Sequence, residues 1–240
     1  MALESHELLA HADFVRALAR SPEKLGHLDS ELDEIVAGDV TRPETIAQVC
    51  DGIDVVFSSI GITNRQGKLS FVDVDYQGNK NLLDVAKRAG VKKFVYVSVI
   101  DGSRLRHLDI VEAHEDFVDE LKESGLHYTV VRATGFFSDM SEVYEMARKG
   151  RGYLFGSGED RCNPIHGADL AIGCADAIAE NGAEIDVGGP ETMTWREIAG
   201  VAFAAQNKPV EVTSVSLWVM SLVIFVTRLF SRHNAELVAF

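Results

Sequence analysis

The chain is 240 residues long, 46% hydrophobic and 25% charged, a balance that fits one globular domain and excludes intrinsic disorder. Its formal charge of −14, from 37 acidic and 23 basic residues with no segregated basic patch, argues against nucleic acid and anionic lipid as partners. Three widely spaced cysteines, Cys50, Cys162 and Cys174, form no Cys-x-x-Cys pair for zinc or redox work and fit a reducing, cytoplasmic compartment.

Residues 1–12 interleave Glu4, His6, Glu7 and His11 with their apolar positions, so they do not read as a secretory signal, and residues 2–10 read as the end of a helix. Downstream, β-branched or apolar runs over 14–19, 34–37, 55–59, 94–98 and 128–132 predict five strands. Helical patterns over 43–50, 75–89 and 109–124 lie between them. Strands alternating with helices at this spacing imply parallel βαβ units, hence an α/β fold with a doubly wound parallel sheet. Gly90 and Gly125 each follow a helical pattern, where a left-handed C-cap is needed. Beyond Gly135 the pattern changes to a helix over 139–148, glycine-rich connections around Gly150, Gly152, Gly156 and Gly158, and a helix from Asp169. Residues 212–227 are uncharged and largely apolar, yet shorter than the roughly 20 residues that span a bilayer. Thr213, Ser214, Ser216, Ser221 and Thr227 interrupt them, so they predict a buried or partner-binding helix. A peripheral membrane contact through 212–230, with Arg228 and Arg232 beside it, is disfavoured. No linker or repeat divides the chain, which reads as one domain over 1–240.

In a doubly wound sheet, ligands lie outside the carboxyl ends of the strands. Arg20 follows the first predicted strand, Asp39 and Val40 the second, Ser58, Ser59, Ile60 and Gly61 the third, Ser98 the fourth, and Thr134, Gly135 and Phe136 the fifth. The acidic run Asp109, Glu112, Glu115, Asp116, Asp119, Glu120 and Glu123 falls mostly off the apolar face of its helix and reads as solvated surface, with no metal site. Asp169 reads as the N-cap of the next helix, with His166 supporting the turn.

Several blocks together resemble the atypical short-chain dehydrogenase/reductase superfamily, in its NmrA-like NAD(P)-binding branch. They include Arg16-Ala17-Leu18-Ala19-Arg20-Ser21-Pro22, Gly38-Asp39-Val40 and Val74-Asp75-Tyr76-Gln77-Gly78-Asn79-Lys80-Asn81. Gly90-Val91-Lys92-Lys93-Phe94-Val95-Tyr96-Val97-Ser98 and Asn163-Pro164-Ile165-His166-Gly167-Ala168-Asp169 extend the likeness over about residues 5–175. The resemblance implies a Rossmann-like domain: residues 1–135 as the cofactor-binding part and 136–240 as a small C-terminal substrate-side region. It implies an NAD(P)-dependent oxidoreductase acting on a small molecule, and it allows a homodimer. Arg20 would lie beside the adenosine ribose, Asp39 and Val40 at the adenine, and Ser58 to Gly61 along the ribose and pyrophosphate. Thr134, Gly135 and Phe136 would flank the nicotinamide end. An arginine at Arg20 suits a 2′-phosphate, so NADP is preferred over NAD.

Two departures qualify the resemblance. The family opens on a strand running into Gly-x-x-Gly-x-x-Gly, whereas the first glycine here is Gly26, so the glycine-rich first βα unit is missing from this sequence. Reductases of the wider superfamily also use Tyr-x-x-x-Lys, where this chain has Ile110 and His114. Ser98 matches the family's serine. With no phenol at 110, Ser98 and His114 remain as the candidate catalytic pair, His114 contacting a ribose hydroxyl or shuttling a proton; a packing histidine is the alternative reading. The same loss supports a second function class, a non-catalytic dinucleotide sensor or assembly factor that docks a protein partner.

Overall fold

The computed structural model describes residues 12–28, 31–62, 69–216 and 218–219. The helix end predicted over 2–10 lies outside them. The chain divides into two compact units, one holding the residues up to Ala133 with Ala168–Val187, the other Thr134–Gly167 with the residues from Gly188.

The first unit carries all five predicted strands. β1 (Arg16–Ala19) pairs in parallel with β2 (Glu34–Ala37). A second parallel sheet has the order β3 (Val55–Ser58), β4 (Lys93–Val99), β5 (His127–Ala133) and β8 (Ala183–Val187). Among the described residues, β1 and β3 each keep one unpaired edge. β4 and β5 are near-continuous runs of buried residues, as expected of parallel strands covered on both faces. The crossovers are helical. α1 (Gln77–Ala89) ends on Gly90, whose φ of 77° lets its N–H reach back to the Ala86 carbonyl, a conformation that costs glycine no Cβ clash. α2 (Asp109–Glu123) buries Ile110, Val111, Ala113, Phe117, Val118 and Leu121 on one face. Phe117 meets the Phe94 ring at 5.8 Å and the Tyr96 ring edge-on at 4.6 Å. Leu18 and Val36 of β1 and β2 pack on the same apolar cluster as Val56, Leu82 and Phe94, so the two sheets share a core.

Three local expectations change here. The helix expected over 43–50 is a single 3-10 turn, Pro43–Thr45, followed by turns, because Thr45 Oγ1 accepts the Asp39 N–H and its hydroxyl binds the Arg42 carbonyl, closing a compact loop. The helix after Gly61 opens with a π turn, Val72–Tyr76, before α1 begins. Asp169 is not an N-cap: α4 (Gly167–Asp176) starts two residues earlier and Asp169 lies in its first turn, where a carboxylate complements the helix dipole.

The acidic face of α2 also needs correction at one position. Glu115 is 2% exposed and makes a fork with Arg132, Oε1 to Nη1 at 2.7 Å and Oε2 to Nη2 at 3.0 Å. Arg132 Nε binds Glu184 on β8 at 2.6 Å, and Glu184 also binds Lys122 at 2.5 Å. Burial opposes the Arg132 charge, yet the bonds to Glu115 and Glu184 raise its pKa further still. The loop after β4 presses on this pair: a Cβ at Gly102 would stand 2.2 Å from Glu115 Oε1 and 2.8 Å from Arg132 Nη1.

In the second unit, α3 (Ser141–Arg148) and α5 (Trp195–Ala205) pack with a parallel pair, β6 (Gly152–Phe155) and β10 (Val212–Val215). β7 (Arg161–Cys162) and β9 (Met193–Thr194) form an antiparallel pair. Thr194 begins α5 with a reciprocal capping box, accepting the Glu197 N–H while Glu197 accepts its own. The helix expected over 212–227 is overturned at its start: Val-Thr-Ser-Val is a strand paired with 152–155, as its β-branched residues favour. Trp218 and Val219 are helical, and residues 217 and 220–227 lie outside the described residues. Among the described residues, no helix is long and apolar enough to cross a membrane.

Glu115→Ala leaves the Arg132 guanidinium buried beside a cavity, and we expect a loss of about 3–5 kcal/mol in unfolding free energy, read by denaturant titration.

Candidate functional site

Arg20, Asp39, Val40 and Ser59 to Gly61 follow the carboxyl ends of β1, β2 and β3, whereas Ser58 is the last residue of β3, Ser98 lies within β4 one residue before its end, and His114 is on α2. Arg20 is exposed one residue beyond β1. Beyond β2, the Asp39 carboxylate turns back on its own loop, accepting the Thr41 N–H at 2.9 Å and hydroxyl at 2.8 Å. Its partial burial acts to raise its pKa, but the Thr41 bonds and the charges of Arg20 and Arg42 outweigh this and hold it below the usual value. Val40 is buried against α1, where a Cβ at Gly78 would come within 2.8 Å of its Cγ2. Asn81 Nδ2 donates to the Val40 carbonyl at 2.8 Å, so the second loop is tied to the helix that follows β3.

The third loop, residues 58–62, is held from inside by a polar cluster. Ser58 is buried and its hydroxyl donates to Asn79 Oδ1 at 2.5 Å. Asn79 Nδ2 donates to the carbonyls of Ile60, at 3.1 Å, and Asp75, at 2.7 Å. The Ile62 N–H reaches both Asp75 carboxyl oxygens at 3.3 Å. Ser59 and Gly61 stay exposed. A Cβ at Gly61 would lie 3.1 Å from Asp75 Oδ1 and 3.4 Å from His114 Cε1, so the backbone rides directly on these side chains.

Ser98 and His114 face inward. The Ser98 hydroxyl, in a residue 3% exposed, donates to Glu115 Oε1 at 3.3 Å. The His114 ring has Nδ1 2.5 Å from the Tyr96 hydroxyl and Nε2 3.2 Å from Asp75 Oδ1. One proton arrangement satisfies all three groups: Tyr96 donates to Nδ1, and Nε2–H donates to Asp75. A phenol therefore does reach His114, from β4 rather than from position 110. Tyr96 is fully buried, and burial, reinforced by Asp75 and Glu115, raises its pKa well above 10. In the sequence Tyr96 stood only within the fourth predicted strand and the family-like text; the available signal was its place two residues before Ser98 on the same strand face, opposite the inward face of α2.

The remaining predicted residues belong to the second unit. Thr134 Oγ1 donates to the Asn163 carbonyl at 2.7 Å, Gly135 O accepts the Ile165 N–H at 2.9 Å, and Phe136 bridges to Ile165. Phe137 lines an apolar cavity of about 380 Å³ between α3 and α5, with Met140, Tyr144, Ile198 and Val201. Among the described residues, no group of three His, Cys, Asp or Glu side chains is placed to hold a metal ion.

Residues 4–181 match the model of a family described as NAD(P)H-binding. The chain belongs to this NAD(P)H-binding family. It is 26% identical over 214 residues to the photosystem II assembly factor Ycf39 of Trieres chinensis, a match covering 87% of this chain and 66% of that protein. It is 27% identical over 206 residues to the NAD(P)H azoreductase of Xenophilus azovorans, covering 84% of this chain and 68% of the relative. Among solved structures, the NADPH-dependent quinone oxidoreductase QOR2 of Escherichia coli, complexed with NADPH, superposes with a TM-score of 0.76 at 19% identity, over 97% of this chain and 81% of that one. At that identity the likeness shows the fold, a Rossmann-like α/β sheet.

The residues present fit a dinucleotide through an exposed cation at Arg20 and an exposed, side-chain-free backbone at Gly61, each at a strand's carboxyl end. Gly61→Ala forces a methyl group against the buried Asp75–His114 pair, and we expect it to lower stability by about 1–3 kcal/mol in thermal or denaturant unfolding.

Proposed function

We propose that the chain is an NADP-dependent oxidoreductase acting on a small, partly apolar molecule. The observation that supports this reading is that Arg20, Asp39–Val40 and Ser58–Gly61 lie at the carboxyl ends of β1, β2 and β3 in a member of an NAD(P)H-binding family. When bound, the dinucleotide supplies the hydride; the chain supplies binding and orientation. Arg20 binds the 2′-phosphate through charge-assisted hydrogen bonds. Val40 is the apolar neighbour of the adenine, beside Asp39, whose carboxylate is already committed to Thr41. Residues 58–61 offer the pyrophosphate and ribose a fixed main chain. Ser98 and His114, the candidate catalytic pair, reach substrate or cofactor only by exchanging the bonds they make to Glu115, Tyr96 and Asp75. Relatives named as an azoreductase and a quinone oxidoreductase support a reductive activity on a small molecule. A cytoplasmic setting accords with Cys50, Cys162 and Cys174, all free thiols.

A second reading, a dinucleotide-dependent assembly factor, is favoured by two observations: the inward bonding of Ser98 and His114, and the assembly factor among the relatives. In that reading the exposed Phe137, Tyr144 and Val201 around the second unit's apolar cavity receive the partner protein.

Titration with NADPH and NADH, followed by nucleotide fluorescence, tests the first reading. NADPH is expected to bind more tightly than NADH, and Arg20→Ala to weaken NADPH about ten-fold while leaving NADH nearly unchanged. Failure to bind either nucleotide rejects it. Binding without NADPH oxidation in the presence of quinone or azo-dye acceptors favours the assembly-factor reading instead.

A further inference from the structure

The loop after β3 has an exposed outer surface and a buried lining of unusual polarity. Asp75 and Asn79 are both completely buried, although neither side chain belongs naturally in an apolar layer. They stand four residues apart across the junction of the π turn Val72–Tyr76 and α1. That spacing puts both on the face of the helix turned toward residues 58–62. A π turn is less compact than an α turn and is retained where it serves a purpose. Here it brings a carboxyl and a carboxamide under one loop.

Their bonds divide the loop between them. Asn79 takes its near half, through the Ser58 hydroxyl and the Ile60 carbonyl. Asp75 takes the far half, through the Ile62 N–H, and sits 3.1 Å from where a Gly61 side chain would begin. Asp75 is held in turn by His114, and His114 by Tyr96, so the chain of contacts runs from the middle of β4, through α2, to the loop. Every polar atom in it has a partner, which makes the arrangement a stiff one: moving the loop away from Asp75 would strand a buried carboxyl.

We propose that Asp75 is a positioning residue for the dinucleotide: backed by His114, it fixes the 60–62 backbone in the shape that receives the cofactor. The proposal rests on the NADP reading above. It gives His114 a task besides that of a candidate catalytic group. Held by Tyr96 through Nδ1, the imidazole sets the orientation of the Asp75 carboxyl through Nε2. Loss of Asp75 then acts on the order of the loop first and on nucleotide affinity through it, with little change in the rate of the chemical step once nucleotide is bound.

The test compares Asp75→Ala and the isosteric Asp75→Asn with Leu121→Ala, a substitution at a fully buried core position on α2 whose side chain can join no hydrogen bond of the loop's polar cluster. Three quantities are read on each: NADPH dissociation constant, melting temperature, and amide hydrogen exchange at residues 60–62. The expected result is a roughly ten-fold weaker NADPH affinity for Asp75→Ala, the order of one hydrogen bond to a charged group, with a smaller loss for Asp75→Asn, which retains one acceptor oxygen. Exchange at 60–62 accelerates in the same order. Leu121→Ala lowers the melting temperature but leaves affinity and loop exchange near those of the parent. The proposal is overturned if affinity follows melting temperature across all three variants, or if exchange at 60–62 is unchanged in the Asp75 variants. Should Asp75→Ala fail to fold, Asp75→Asn carries both readouts. Should the parent bind no NADPH, the NADP reading falls, and loop exchange alone decides the clamp: local acceleration in Asp75→Asn upholds it and unchanged exchange rejects it.

Discussion

A parallel sheet covered on both faces leaves no water for the polar side chains that enter its layers, and the first unit is organised around that constraint. Two polar assemblies satisfy it on the α2 side. Glu115, Arg132, Glu184 and Lys122 join α2 to β5 and β8. Tyr96, His114, Asp75, Asn79 and Ser58 join β4 to the π turn and to the loop after β3. His114 and Glu115 are consecutive residues of α2, so one helix turn serves both assemblies. The apolar stripe of α2 provides the burial that makes each polar contact costly to break.

The same arrangement separates what is exposed from what is fixed. Ser59 and Gly61 face solvent, while Ser58, Asp75 and Asn79, which shape their loop, are buried. A recognition surface built this way presents main-chain atoms, with side chains acting from behind. Such a surface suits a ligand carrying phosphates and sugar hydroxyls, which main-chain donors and acceptors can meet.

The alternation of strands and helices was legible because β-branched runs and the 3.6-residue stripe of α2 are local signals. The five strands over 16–133 fall within one or two residues of expectation, and Gly90 and Gly125 take the left-handed conformation foreseen for them. Information carried by long-range pairing was not legible. β10 reads as part of an apolar helix until Gly152–Phe155, some sixty residues earlier in the chain, is placed beside it. Glu115 looked like one more charge on a solvated face because its partner, Arg132, lies on a strand whose register no local pattern reveals. For the candidate site, strand ends located Arg20, Asp39 and Ser58 to Gly61, whereas Asp75, Asn79 and Tyr96 entered only within predicted elements and the family-like text. Their roles depend on which side chains meet across α1, α2 and β4.

Gly102 ties the history of one loop to a buried ion pair. The space a methyl group would need there is occupied by Glu115 Oε1, 2.2 Å away, with Arg132 Nη1 just behind it. A lineage that acquires any side chain at 102 must move or lose the pair, and one that replaces the pair with smaller apolar residues frees position 102 to vary. The three positions should therefore drift as a set among descendants of this fold, a dependence between sites more than ten residues apart in sequence that chain proximity alone would not foretell.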